Sequence, residues 1–142
     1  MRSDPPIYVL DTSAVLTLIE DEAGADVVQD LLEKAKAERV VVLISFMSFM
    51  EVYYITRQER DQGEAVHRVD LMGTLPISRV ESSSSLGIRA GELKANYRLS
   101  VADAWIAALA YEQGAALVHK DPEFEQLEGV TQVLKLPYKV ST

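Results

Sequence analysis

The 142-residue chain contains no cysteine. That excludes a disulfide framework, a thiolate metal site and a cysteine nucleophile, and it permits a reducing compartment. Its two histidines, His67 and His119, lie far apart and leave no spacing for a zinc site or a histidine-based triad. No apolar run approaches the ~18 residues of a membrane span, the longest, Val40 to Met50, being interrupted by serines. The opening Met-Arg-Ser-Asp-Pro-Pro carries an acid and two prolines where a signal peptide needs an apolar stretch. Neither secretion nor membrane insertion is expected, and the expected compartment is the cytoplasm. There is no G-x-G-x-x-G and no Walker pattern, so no nucleotide cofactor is expected. Positive charge is scarce as well: 14 Lys and Arg stand against 22 Asp and Glu, for a formal net charge of −8 and a pI near 4.7. Acids spread evenly at that excess would repel a polyanion.

Hydrophobic residues make up 48% of the chain and charged residues 25%, the balance of a globular protein with a packed core. The length suits one domain, 1–142. Short β-branched or apolar runs at Ile7–Leu10, Val40–Ile44, Ile77–Val80, Ala115–Val118 and Thr131–Leu136 read as strands. Between them, helical periodicity runs over Ser13–Ile19, Gly24–Lys36, Met47–Arg60 with Gly63 interrupting it, and about Glu64–Gly73. It returns from the Ser82–Ser85 tract to about Arg98 and over Val101–Gln113, closed by Gly114. A short helical turn is expected at Pro122–Gln126. Strands that read as unbroken apolar runs, alternating with helices, predict an α/β fold whose parallel sheet is covered on both faces. Ligands of such sheets sit beyond the carboxyl ends of the strands.

Four acids occupy such places. Asp11 ends the first strand, Glu51 lies in the helix after the second, Asp103 opens the Ala-rich helix, and Asp121 follows the fourth strand. Three of them also fit helix caps. Asp11 precedes a helix, Ser100-Val-Ala-Asp103 matches a capping box, and Asp121-Pro122 matches a cap followed by proline. Glu51 has no such reading, because it sits among Phe49, Met50, Val52, Tyr53 and Tyr54, where an acid needs a partner. Parallel topology can bring these acids to one sheet edge. Two carboxylates ~4 Å apart repel by roughly 4 kcal/mol at an effective dielectric near 20, so a cluster requires protons or a cation. An all-oxygen donor set suits magnesium or manganese, and the chemistry that follows is metal-assisted phosphodiester hydrolysis.

The segments Val9-Leu10-Asp11-Thr12-Ser13-Ala14, Ser45 to Glu51, Leu99 to Ala108 and Leu117 to Phe124 together resemble the PIN-domain family, and within it the VapC-type toxin ribonucleases. The resemblance covers essentially the whole chain. It implies a three-layer α/β/α domain with a mostly parallel sheet of four to five strands. It makes Asp11, Glu51, Asp103 and Asp121 the acidic ligands of Mg2+ or Mn2+ in an endoribonuclease, with Ser13 orienting the first acid, the metal or the scissile phosphate. Glu123 becomes a possible outer-shell carboxylate, and His119 a possible outer-shell residue beside it. His119 stands where the family commonly has a small hydroxyl residue, so it either contacts a phosphate or simply ends the fourth strand. The resemblance further implies an RNA substrate, a cognate antitoxin and a homodimer. The alternatives are a catalytically silent PIN-like module that binds metal or RNA, and a solitary RNA-processing nuclease without an antitoxin. A receiver-like domain fits less well, since no aspartate ends the third strand.

The acidity is uneven. Residues 1–71 carry 14 acids and 7 bases, whereas residues 72–142 carry 8 acids and 7 bases, Asp103 and Asp121 among the acids. A local basic rim drawn from Arg57, Arg60, Arg89, Lys94, Arg98 and Lys120 would therefore let an acidic protein hold RNA. The remaining aromatics, Trp105, Tyr53 and Tyr54, have the helical spacing of core or interface residues.

Overall fold

A computed structural model describes residues 4–139. In chain order it contains β1 (Ile7–Leu10), α1 (Thr12–Ile19), α2 (Ala25–Lys36), β2 (Val41–Ser45), α3 (Phe46–Glu59), α4 (Gln62–Thr74) and β3 (Ser78–Val80). These are followed by α5 (Ser84–Asn96), α6 (Val101–Gln113), β4 (Ala116–His119), a 3₁₀ helix (Pro122–Leu127) and β5 (Gln132–Lys135). The strands form one sheet in the order β3-β2-β1-β4-β5, with every pairing parallel.

Apolar residues alternate between two layers. Val9, Leu43 and Leu117 face the layer of α5 and α6, with Ile106, Leu109 and Phe124. Their neighbours Leu10, Val42, Ile44 and Val118 face the other layer, with Val15, Val28, Leu31 and Val52. This two-sided burial is the reason the strands are apolar throughout, as expected of a parallel sheet between helices. The fold is the three-layer α/β/α arrangement.

Local chemistry sets the element ends. The helix expected from Ser82 starts at Ser84, because Ser83 accepts the Leu86 N–H at 3.2 Å. It stops at Asn96, where Tyr97 turns extended. Gly63 does not interrupt the third helical stretch but lies inside α4. The break falls at Arg60 and Asp61, where the Asp61 carboxylate caps α4 by accepting the Glu64 N–H at 2.8 Å. Gly114 closes α6 in the left-handed conformation, as its position suggests. Trp105 packs edge-on against Phe46 at 5.2 Å and over Gly87, where a Cβ would stand 3.3 Å from the indole. Tyr53 and Tyr54 are exposed and belong to no core.

The chain enters at the sheet centre, builds β2 and β3 to one side, then crosses to build β4 and β5 on the other. The order therefore reverses between β1 and β4, which is where the crevice of an open α/β sheet forms. Asp11 follows β1 and Asp121 follows β4 at this edge, and the Asp11 N–H donates to Val118 O at 2.9 Å.

Candidate metal centre

Asp11, Asp103 and Asp121 each stand at the start of a helix, and the caps made by Asp11 and Asp121 use one carboxylate oxygen of each. Asp11 is the N-cap of α1. Its Oδ2 accepts the Ser13 N–H at 3.0 Å and the Ser13 hydroxyl, while its Oδ1 is buried with no partner. The Ser13 hydroxyl also accepts the Lys120 N–H at 2.9 Å. With its proton given to Asp11 and a lone pair given to Lys120, Ser13 orients the first acid and ties the end of β1 to the end of β4.

Ser100 caps α6 by accepting the Asp103 N–H at 3.1 Å, but the reciprocal half of a capping box is missing. Glu123 Oε1, not Asp103, accepts the Ser100 N–H at 3.1 Å. Asp103, only 7% exposed, is thereby released from capping. Asp121 caps the 3₁₀ helix through Oδ1, which accepts the Glu123 N–H at 2.9 Å. Wholly buried Phe124 anchors that helix, a burial worth about 2–3 kcal/mol, and so fixes the position of Glu123. The capping readings of Asp11 and Asp121 thus hold for one oxygen of each, and that of Asp103 does not hold for its carboxylate.

These devices bring together one oxygen each from Asp103, Asp121 and Glu123, all within 4.8 Å of one another. Glu123, expected at most in an outer shell, is a full member of this triad. Asp11 and Glu51 lie outside it and are linked to it by charge. Burial above all pushes the Asp103 carboxyl far up, and its contact with Glu123 and the charges of Asp11 and Asp121 add to the shift. Burial likewise raises Asp11 to about 7 against the relief from Ser13, with Glu51 and Asp121 adding repulsion. Glu51 is raised by burial and by Asp121, while a hydrogen bond from Thr12 opposes the shift. Among the described residues none of the five takes part in an ion pair.

Three carboxylates thus converge with two more coupled to them by charge, and one of the five, Asp11, presents a buried oxygen that has no hydrogen-bond partner. An orphaned anionic oxygen of this kind costs several kcal/mol unless it is protonated or coordinated. The residues fit a hard divalent ion: Asp103, Asp121 and Glu123 could hold it, with Asp11 coupled by charge to Asp121.

His119 is wholly buried at the end of β4. Burial lowers its pKa, so the ring is neutral, and Nδ1 accepts the Asp121 N–H at 3.1 Å. It packs against Phe124 at 5.3 Å and Tyr138 at 6.4 Å. Its ring thus holds the backbone of the last acid from inside the fold.

The expected basic rim is only partly available. Lys120 donates to Ala23 O at 2.7 Å and lies 3.9 Å from the Glu22 carboxylate, Lys94 donates to Leu99 O at 2.9 Å, and Arg89 lies over the Tyr111 ring. Arg57, Arg60 and Arg98 are exposed. Two residues that sequence reasoning passed over are Thr12, whose hydroxyl meets Glu51 across the α1–α3 contact, and Ser48, whose hydroxyl meets that of Thr12. Thr12 stood in plain view beside Asp11, and Ser48 one helical turn before Glu51.

In sequence, residues 8–130 match the PIN domain. The chain belongs to the PIN-domain family. No curated protein matches it in sequence. Among solved structures this PIN domain is similar to VapBC2 from Rickettsia felis bound to a DNA fragment from their promoter, at 18% identity and a TM-score of 0.73, covering 92% of this chain and 99% of the other. It is also similar to a toxin–antitoxin complex from Klebsiella pneumoniae (20% identity, TM-score 0.65, covering 94% and 99%). A third is VapC20 from Mycobacterium tuberculosis, a sarcin–ricin loop cleaving toxin (18% identity, TM-score 0.65, covering 84% and 93%). At these identities the likeness shows the fold. No helix of the described residues is long and apolar enough to cross a membrane.

Proposed function

We propose that this PIN domain is a magnesium- or manganese-dependent endoribonuclease and the toxin of a VapBC-type pair, acting as a homodimer in the cytoplasm. The observation that carries the reading is the convergence of Asp103, Asp121 and Glu123, with Asp11 and Glu51 coupled to Asp121 by charge, no ion pair to any of the five among the described residues, and Asp11 Oδ1 buried without a hydrogen-bond partner. A bound divalent ion supplies an activated water and neutralises charge building on a phosphoryl group. The protein's own contribution is placement. Asp103, Asp121 and Glu123 converge as ligands, Asp11 offers its free oxygen with Ser13 holding the other, and Glu51 completes the acidic edge. His119 keeps Asp121 in register from behind. Arg57, Arg60 and Arg98 are exposed and available to phosphates, which reconciles an acidic chain with an RNA substrate. The partner reading draws on structural neighbours described as VapBC and toxin–antitoxin complexes. It makes a cognate antitoxin the second ligand of this domain.

The test is cleavage of mixed single-stranded and structured RNAs by the purified protein, with Mg2+, Mn2+ or EDTA, beside Asp11→Asn and Asp103→Asn. Cleavage that requires the metal and falls at least about 100-fold in both variants is expected, from the size of single catalytic contributions. Undiminished cleavage in EDTA, or by both variants, refutes the mechanism.

A further inference from the structure

Thr12 and Ser48 are buried hydroxyls that cap nothing. Thr12 opens α1 and is 5% exposed, and Ser48 lies wholly buried on α3, three residues before Glu51 and on the same helix face. Thr12 Oγ1 stands 2.6 Å from Glu51 Oε1 and 2.9 Å from Ser48 Oγ. A hydroxyl has one proton. An ionised carboxylate can only accept, and its contact is the shorter, so the Thr12 proton goes to Glu51. Ser48 then donates its own proton to Thr12 Oγ1. Two hydroxyls in line, ending on an anion, polarise each other and strengthen the last bond.

The contact has work to do, because Glu51 has three rotatable bonds, is only partly buried, and is repelled by its charged neighbours Asp11 and Asp121. With no cation beside it, nothing else among the described hydrogen bonds and ion pairs holds its head at the acidic edge. We infer that Thr12 and Ser48 are positioning residues that tether the Glu51 carboxylate at the β1/β4 crevice, from which it would otherwise turn toward solvent. The tether joins the residue next to Asp11 to the helix after β2, so it couples the placement of two acids 40 positions apart. Its effect on metal binding rests on the metal-centre reading above, whereas the tether itself does not.

The test measures Mn2+ affinity calorimetrically for the full chain and for Thr12→Val, Thr12→Ser, Ser48→Ala and Glu51→Gln, with crystal structures of the metal-free wild type and Thr12→Val. Valine keeps the shape of threonine without the hydroxyl, and is expected to weaken Mn2+ binding about 10-fold, the effect usual for partners of metal ligands. Serine keeps the hydroxyl and is expected to stay within about twofold of wild type, with Ser48→Ala about threefold weaker than wild type. In the Thr12→Val crystal, Glu51 is expected to leave its place beside residue 12. Wild-type affinity in Thr12→Val, equal weakening in Thr12→Ser, or an unmoved Glu51 overturns the inference. Should Thr12→Val fail to fold, Ser48→Ala decides, wild-type affinity overturning the tether. Should the wild type itself bind no Mn2+, the metal-centre reading fails, and the position of Glu51 in the two crystals alone decides on the tether.

Discussion

Asp11→Asn is expected to stabilise the metal-free protein while destroying its metal site. Asp11 is 2% exposed, and burial first, then the charges of Glu51 and Asp121, raise its carboxyl from 3.8 to about 7. Because the folded value lies above the unfolded one, the folded state still holds a proton that the unfolded chain has released between about pH 4 and pH 7. Stability therefore falls as pH rises through that window, and the full cost persists above it. Three pH units at 1.36 kcal/mol each make about 4 kcal/mol. Asparagine carries no charge and caps helices as well as aspartate. Its amide oxygen can keep the Ser13 contacts, while its neutral NH₂ takes the place of the orphaned Oδ1. In EDTA the variant should gain up to about 4 kcal/mol at pH 8 and only about 1–2 kcal/mol at pH 5. Urea unfolding followed by the single tryptophan, Trp105, reads both values. A variant less stable than wild type at pH 8, or a gain equal at the two pH values, refutes the reasoning.

Other substitutions probe the supports of the site. His119→Phe keeps an aromatic ring in the same packing but removes the acceptor of the Asp121 N–H; a loss of about 1–3 kcal/mol in urea unfolding is expected, with weaker Mn2+ binding in calorimetry. Gly24→Ala should cost about 2 kcal/mol, because Gly24 has φ +102° and an added Cβ would stand 3.2 Å from Leu136 and Pro137. The control Gly73→Ala meets nothing within 4 Å inside α4, and should gain about 0.5–1 kcal/mol. Thermal melts of the pair distinguish this local strain from a general intolerance of substitution.

The sheet was legible because its strands are buried on both faces. Ile7–Leu10 and Ala116–His119 carry no charged carboxylate or ammonium within the sheet, and acids appear only beyond their last residues, where Asp11 and Asp121 stand. The acids were legible for the same reason, as charge at the ends of apolar runs. What stayed hidden was tertiary. Ser100-Val-Ala-Asp103 reads as a capping box, and only the return of the 3₁₀ helix shows Glu123 taking the Ser100 N–H. Lys120 reads as a phosphate contact, yet its ammonium is drawn across to Ala23 O, 97 residues away. Gly63 looked like the helix breaker because glycine is a poor helix former, but the Asp61 cap two residues earlier fixes the boundary. Pairing Thr12 with Glu51 required the packing of α1 on α3, which no local pattern encodes.

The central claim is that the acids at the β1/β4 crevice hold a divalent cation. Anomalous scattering from crystals soaked in Mn2+ tests it most directly. The account predicts a manganese peak about 2–2.5 Å from oxygens of Asp103 and Asp121, with Asp11 or Glu123 completing the shell, and no peak in Asp103→Asn. Wild-type crystals without a peak there at saturating Mn2+, or with the only peak elsewhere on the protein, would contradict it.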